Sequence, residues 1–143
     1  MPFILQVAAG KRAELTVYGD DYPTLDGTGV RDYIHVMDLA DGHAAALTFM
    51  GSNSGWTAIN LGGGRGYNVR EIVREVTRAS GRSIPSKVCK RRSGDVAACY
   101  ANTEKAALLL NWVAKLNLAD MCASSWHFQH RVDASLDHDV LRG

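Results

Sequence analysis

The stretch from Asn68 to Gly81 constrains the fold most. Asn68 stands where a helix start needs a side-chain acceptor, and Glu71 follows three residues later as its capping-box partner. Gly81 supplies a left-handed stop. Between them Val69, Ile72, Val73, Val76 and Ala79 fall on one helical face. A stripe that wide must be covered by other elements, so the chain has to build a core around it. It has the means: 46% of its 143 residues are hydrophobic and 22% charged, as in soluble globular proteins and unlike disordered ones. At this length one domain is expected, burying about 70% of the surface its unfolded form exposes. A complete two-domain, nucleotide-cofactor enzyme does not fit in it.

Around that helix the pattern alternates between strands and helices. Residues 3–9 are expected to begin a helix. Residues 14–18 read as a strand, followed by a long ordered loop over Gly19–Gly29. Residues 30–36 read as a second strand. A helix follows from about Met37, with Leu39, Ala40, Ala44, Leu47 and Met50 as its apolar stripe. Gly42 inside it costs up to about 1 kcal/mol against Ala, which suggests a close approach there. Residues 57–61 and 84–90 read as further short strands. Thr103 caps a short helix through Leu110, and a last helix starts near Asn117 or Leu118, carrying Leu118, Met121, Cys122 and Trp126 inward. The fold class is α/β: a mixed α+β domain with a small sheet and four or five helices over residues 1–131. The tail over 132–143 is expected to fray.

Few motifs carry chemistry by themselves. The glycines at 62, 63, 64 and 66 follow a strand and open a helix, as a dinucleotide loop does. The third glycine of G-x-G-x-x-G would fall at Tyr67, and no acidic residue lies about 20 positions on to take a ribose. The cluster therefore reads as a tight strand-to-helix turn. Six aspartates and one arginine, Arg31, lie between Asp20 and Asp41, whereas Arg78–Arg92 holds six basic residues and no acid. The basic stretch is either a solvated face or a source of one or two phosphate-gripping arginines. It has no interleaved aromatic until Tyr100, so it lacks a stacking platform for single strands. His127-x-x-His130 lacks a glutamate between its members and a clear third ligand, which argues against a metal. A net charge of +1 argues against nucleic acid or anionic lipid as partner. No apolar run approaches the roughly 18 residues of a membrane span. Cys89, Cys99 and Cys122 are too few and too scattered for a disulfide framework or a zinc site. They read as free thiols of a cytoplasmic protein.

The stretch LTVYGDDYPTLDGTGVRDYIHVMDLADGHAAAL resembles the corresponding part of UDP-galactose (UDP-glucose) 4-epimerases of the extended short-chain dehydrogenase/reductase family. The likeness continues through NLGGGRGYNVREIV and RRSGDVAACYAN to WHFQ, from Met1 to about Gln129. It covers the C-terminal, sugar-nucleotide-binding part of such an enzyme. The resemblance implies that Tyr18 packs on the uracil ring, with Thr16 and Val17 offering backbone contacts beside it. It assigns Arg31 and Arg92 to the diphosphate and Asp95 to the ribose hydroxyls. Each group suits its role: an aromatic face stacks on a base, guanidinium forks fit phosphate oxygens, and a carboxylate accepts from hydroxyls. Cys99 stands near the hexose at a position that is a tyrosine in some members. Its smaller side chain would leave room for a 2-acetamido group.

The resemblance also implies an NAD-dependent inversion at C4 of UDP-glucose and UDP-galactose, with UDP-N-acetylhexosamines as further candidate ligands. In the family a tyrosine of a Tyr-x-x-x-Lys pair removes the 4-hydroxyl proton while hydride passes to NAD. No tyrosine here has Lys four residues later. The expectation is therefore a chain without catalytic residues that binds no cofactor by itself and is inactive alone. It would lack the N-terminal Rossmann domain and its NAD loop. The full-length form could pair as a homodimer. The alternatives are a free-standing nucleotide-sugar-binding or interaction module without catalysis, or part of a UDP-pentose epimerase or related nucleotide-sugar enzyme.

Overall fold

A computed structural model describes residues 1–140. Its elements run α1 (Pro2–Ala8), β1 (Leu15–Tyr18), β2 (Val30–Asp32), α2 (Val36–Met50), β3 (Gly66–Asn68), α3 (Val69–Ser80), β4 (Ser86–Cys89), β5 (Ala98–Cys99), α4 (Glu104–Leu110) and α5 (Leu118–Val140). This is a mixed α/β fold, with five helices among the described residues. The strands form two small sheets. In one, β1 pairs with β4 in parallel. In the other, β2 lies between β3, antiparallel, and β5, parallel.

The core gathers around α3, as its period predicts. Ile72 and Val76 are fully buried, and Val69, Val73 and Ala79 pack against the cluster. Ile4, Leu5, Val7 and Ala8 of α1, Leu15 and Val17 of β1, Tyr67 of β3, Ile84, and Leu118, Met121 and Cys122 of α5 complete it. Burying a valine, leucine, isoleucine or methionine side chain stabilises by about 1.5–3 kcal/mol each. The capping box of α3 is present, with Glu71 Oε2 accepting from the Asn68 amide at 2.8 Å. The amide of Val69 is taken by the buried hydroxyl of Thr28 at 3.0 Å, so the acidic loop also caps this helix.

Several elements differ from the sequence expectation. The second strand stops at Asp32, because His35 adopts the extended N-cap of α2 and its Nδ1 accepts from the Met37 amide. That acceptor role leaves the proton on Nε2, which donates to Ser124 of α5 at 2.9 Å. Helix α2 is turned away from its expected stripe. Its buried positions are Asp38 and Gly42, whereas Leu47 and Met50 stand 69% and 66% exposed. Two contacts decide this orientation. Asp38 Oδ2 accepts from the amides of Lys115 and Leu116. Gly42 lies so close to Leu61 and Trp112 that a Cβ would stand 3.0 and 3.1 Å from them, the close approach its glycine suggests. Residues 57–61 pair with no strand among the described residues, despite their strand-like sequence. At α4 the cap is shared: Thr103 holds the N-cap position, but Asn102 accepts the Glu104 amide. Helix α5 spans Leu118–Val140, so it takes in residues 132–140 of the expected tail, and it starts with Asn117 accepting from Ala119 and Asp120. The rest of the expected tail, 141–143, lies outside the described residues.

Candidate functional site

A cleft of about 230 Å³ opens beside β1, and its lining includes Thr16, Val17, Tyr18, Arg31, Arg92 and Asp95. Six of the seven residues singled out from the sequence thus come together, from three separate stretches of chain. The alternation of β1 explains its share: Leu15 and Val17 turn into the core while Thr16 and Tyr18 face out. The seventh, Cys99, is exposed on β5 in register with Arg31 but is not among the residues that line the cleft.

Asp95 joins the two arginines. Arg92 Nε donates to its Oδ2 at 2.9 Å, and Arg31 Nη2 stands 3.7 Å from Oδ1. The Arg31 guanidinium is held from behind by the carbonyls of Val30 and Val96, at 2.7 and 2.9 Å. Arg92 also lies over the Tyr18 ring, 4.7 Å from its centroid. Two cations share one carboxylate, so the cleft keeps an excess positive charge next to a half-exposed aromatic face. Such a pair suits an anion with several oxygens, and the ring suits a planar group beside it.

Tyr22, Tyr33, Phe3 and Gly29 also line the cleft, and sequence reasoning did not single them out. Tyr22 lies in the acidic loop, yet its ring is only 5% exposed. An aromatic amid turn residues was the available signal. Burial raises the pKa of Tyr33 despite the opposing charge of Arg31, so its phenol stays neutral.

The glycine cluster serves the neighbouring residue, Asp32. The amides of Gly63, Gly64 and Ala101 donate to its carboxylate at 2.9, 3.2 and 3.1 Å. A Cβ on Gly62 would stand 2.6 Å from Asp32 Oδ2, so glycine is required there. These donors wrap an internal carboxylate and are not free for a pyrophosphate. The loop therefore does not fit the dinucleotide of an NAD cofactor, and the wrap instead anchors the strand that carries Arg31.

Residues 1–125 match the family described as GDP-mannose 4,6 dehydratase. The chain belongs to this family. Among its relatives, the bifunctional UDP-glucose 4-epimerase and UDP-xylose 4-epimerase 3 of Arabidopsis thaliana is 53% identical over 133 residues, covering 92% of this chain and 38% of that protein. The human UDP-glucose 4-epimerase is 54% identical over 129 residues, covering 90% and 37%. The same fold recurs in the UDP-glucose 4-epimerase of Stenotrophomonas maltophila, solved with NAD and formylated UDP-arabinopyranose, at a TM-score of 0.91 and 42% identity. That match covers 94% of this chain and 40% of that one. The enzyme of Bifidobacterium longum, solved with NAD+ and UDP, matches at 0.86 and 48%, over 91% of this chain and 38% of that one. The resemblance to UDP-galactose 4-epimerases read from the sequence is borne out. The chain spans under two fifths of the length of the curated relatives it matches.

Proposed function

We propose that this chain is the C-terminal, UDP-sugar-holding portion of a UDP-glucose 4-epimerase, and that the inversion at C4 needs the part of the enzyme the chain does not span. The observation that carries this reading is the convergence of Arg31 and Arg92 on Asp95, beside the Tyr18 ring. In this role the arginines grip the diphosphate, Tyr18 packs on the uracil with Thr16 and Val17 alongside, and Asp95 turns to the ribose hydroxyls. Cys99, in register with Arg31 but outside the cleft lining, is assigned to the hexose end of the ligand, where its small side chain would admit a 2-acetamido group; Cys99→Tyr should then lower affinity for UDP-N-acetylglucosamine more than for UDP-glucose. NAD belongs to the complete enzyme, and no residue of this chain is assigned to it. The exposed apolar face of α2, with Val36, Met37, Leu47 and Met50, supports docking to a further domain. The three free thiols suit a cytoplasmic setting.

Calorimetric titration of the chain with UDP tests the reading. Arg31→Ala and Arg92→Ala should each raise Kd by about 10- to 100-fold, as expected for loss of one charge-assisted contact. Equal affinity in both variants and the parent overturns it. So does turnover of UDP-galactose by the pure chain supplied with NAD. A UDP-pentose substrate is the second reading, favoured by the UDP-xylose 4-epimerase named among the relatives and by the arabinopyranose in the Stenotrophomonas structure. A tighter Kd for UDP-xylose than for UDP-glucose would select it.

A further inference from the structure

The two adjacent arginines at the end of β4 part ways. Arg92 enters the cleft, whereas Arg91 turns to the acidic loop. Its Nε donates to Asp21 Oδ1 at 2.7 Å, an Nη2–H donates to the Asp21 carbonyl, and the guanidinium lies 4.1 Å from the centroid of the buried Tyr22 ring. Gly19 is wedged beneath them: a Cβ there would stand 2.6 Å from the Tyr22 ring and 2.8 Å from Arg91 Cγ. Its φ of +81° turns the chain out of β1. The Gly19 amide donates to the Cys89 carbonyl, which extends the β1–β4 pairing up to this point. The loop beyond then runs through Thr28, the cap of α3, to Gly29 and Arg31 on the cleft wall.

From this geometry we infer that Arg91 is a positioning residue, which latches the Gly19–Gly29 loop so that Arg31 and Arg92 stand ready around one ligand. The inference rests on the nucleotide-sugar reading of the cleft. The need for a latch follows from what binding does to Asp95. Asp95 ties the two arginines together. When they turn to a diphosphate, that tie is given up, and the 91–21 contact still spans the same two stretches of chain. Arg91 acts here through Asp21 and Tyr22 and does not line the cleft itself. Lysine would keep the charge but lose the planar fork and the stacked face.

The test compares UDP titrations of the full chain and of its Arg91→Ala, Arg91→Lys, Asp21→Asn and Arg91→Ala/Asp21→Asn variants. Hydrogen exchange of the loop amides is followed in each without ligand. Arg91→Ala and Asp21→Asn should each raise the UDP Kd by about 5- to 20-fold, and the double variant by no more than either, because they break one contact. Arg91→Lys should recover part of the loss. Loop exchange should speed up in both single variants while the urea midpoint barely moves, since the ion pair is exposed. Unchanged or tighter binding in Asp21→Asn with a loss in Arg91→Ala would mean that Arg91 touches the anion itself, which overturns the positioning role. Unchanged Kd in every variant overturns it as well. Failure of the parent to bind UDP overturns the reading of the cleft, and unchanged loop exchange then overturns the latch on its own.

Discussion

Asp32 and Cys122 show how one side chain's surroundings set its behaviour. The Asp32 carboxylate takes three backbone amides, from positions 31, 32 and 69 residues away. Nothing local marks such a role, so the glycines read from the sequence only as a tight strand-to-helix turn. Removing it leaves those donors without their acceptor and loosens the strand bearing Arg31. Asp32→Ala should cost about 1–3 kcal/mol, read as a lowered urea midpoint, and should weaken UDP binding in step. Cys122 is fully buried in the core, and burial pushes its pKa up to about 11. A thiol reagent at pH 8 should therefore label exposed Cys99 readily and leave Cys122 unmodified until the chain unfolds. The sign of the linked pH effect is determined. Between the ordinary thiol pKa of 9.0 and about 11 the folded thiol keeps a proton that the unfolded one has released. The contribution of Cys122 is thus fully present below pH 9 and declines as pH rises through that window. A urea midpoint that falls less with alkali in Cys122→Ala than in the parent would show it.

Among the elements, α3 and α2 make an instructive pair. The apolar period of α3 agrees with its surroundings, because one face meets the core and the other meets solvent. Helix α2 has apolar residues on more than one side, so its period cannot say which side faces inward. The choice falls to Asp38 and Gly42, a carboxylate needing donors and a residue small enough for Leu61 and Trp112 to approach. Filling that contact should be costly: Gly42→Val is expected to lose about 1–3 kcal/mol of unfolding free energy by overpacking, more than helix propensity explains. Changing the opposite side should not. Leu47→Glu and Met50→Glu should each shift stability by no more than about 0.5 kcal/mol, since neither side chain is buried.

For the whole molecule, the core of α1, α3, α5 and β1 stands apart from the α2 face. That face, with Trp56 at 88% exposure nearby, leaves a broad apolar surface uncovered. Analytical ultracentrifugation should find concentration-dependent association of the chain, reduced in the Leu47→Glu/Met50→Glu double variant. If the cleft binds UDP, the unfolding midpoint should rise with the logarithm of UDP, reaching about 2.7 kcal/mol of added stability at one hundred times Kd. No helix among the described residues is long and apolar enough to cross a membrane.

The sequence by itself determined the elements whose signals are local. The capped, periodic α3, the inward residues of α5 and the turn-rich loop after β1 are written within a few turns of chain, where propensity and side-chain spacing act. It also carried the letters of the family, and through them the residues of the cleft. Tertiary structure alone decided which face of α2 turns inward, that the glycines enclose Asp32, that residues 57–61 stay unpaired, and that Arg91 pairs with Asp21 while Arg92 pairs with Asp95. Each of these depends on partners tens of residues away. A charge or an amide chooses among distant partners only once the core has brought them within reach.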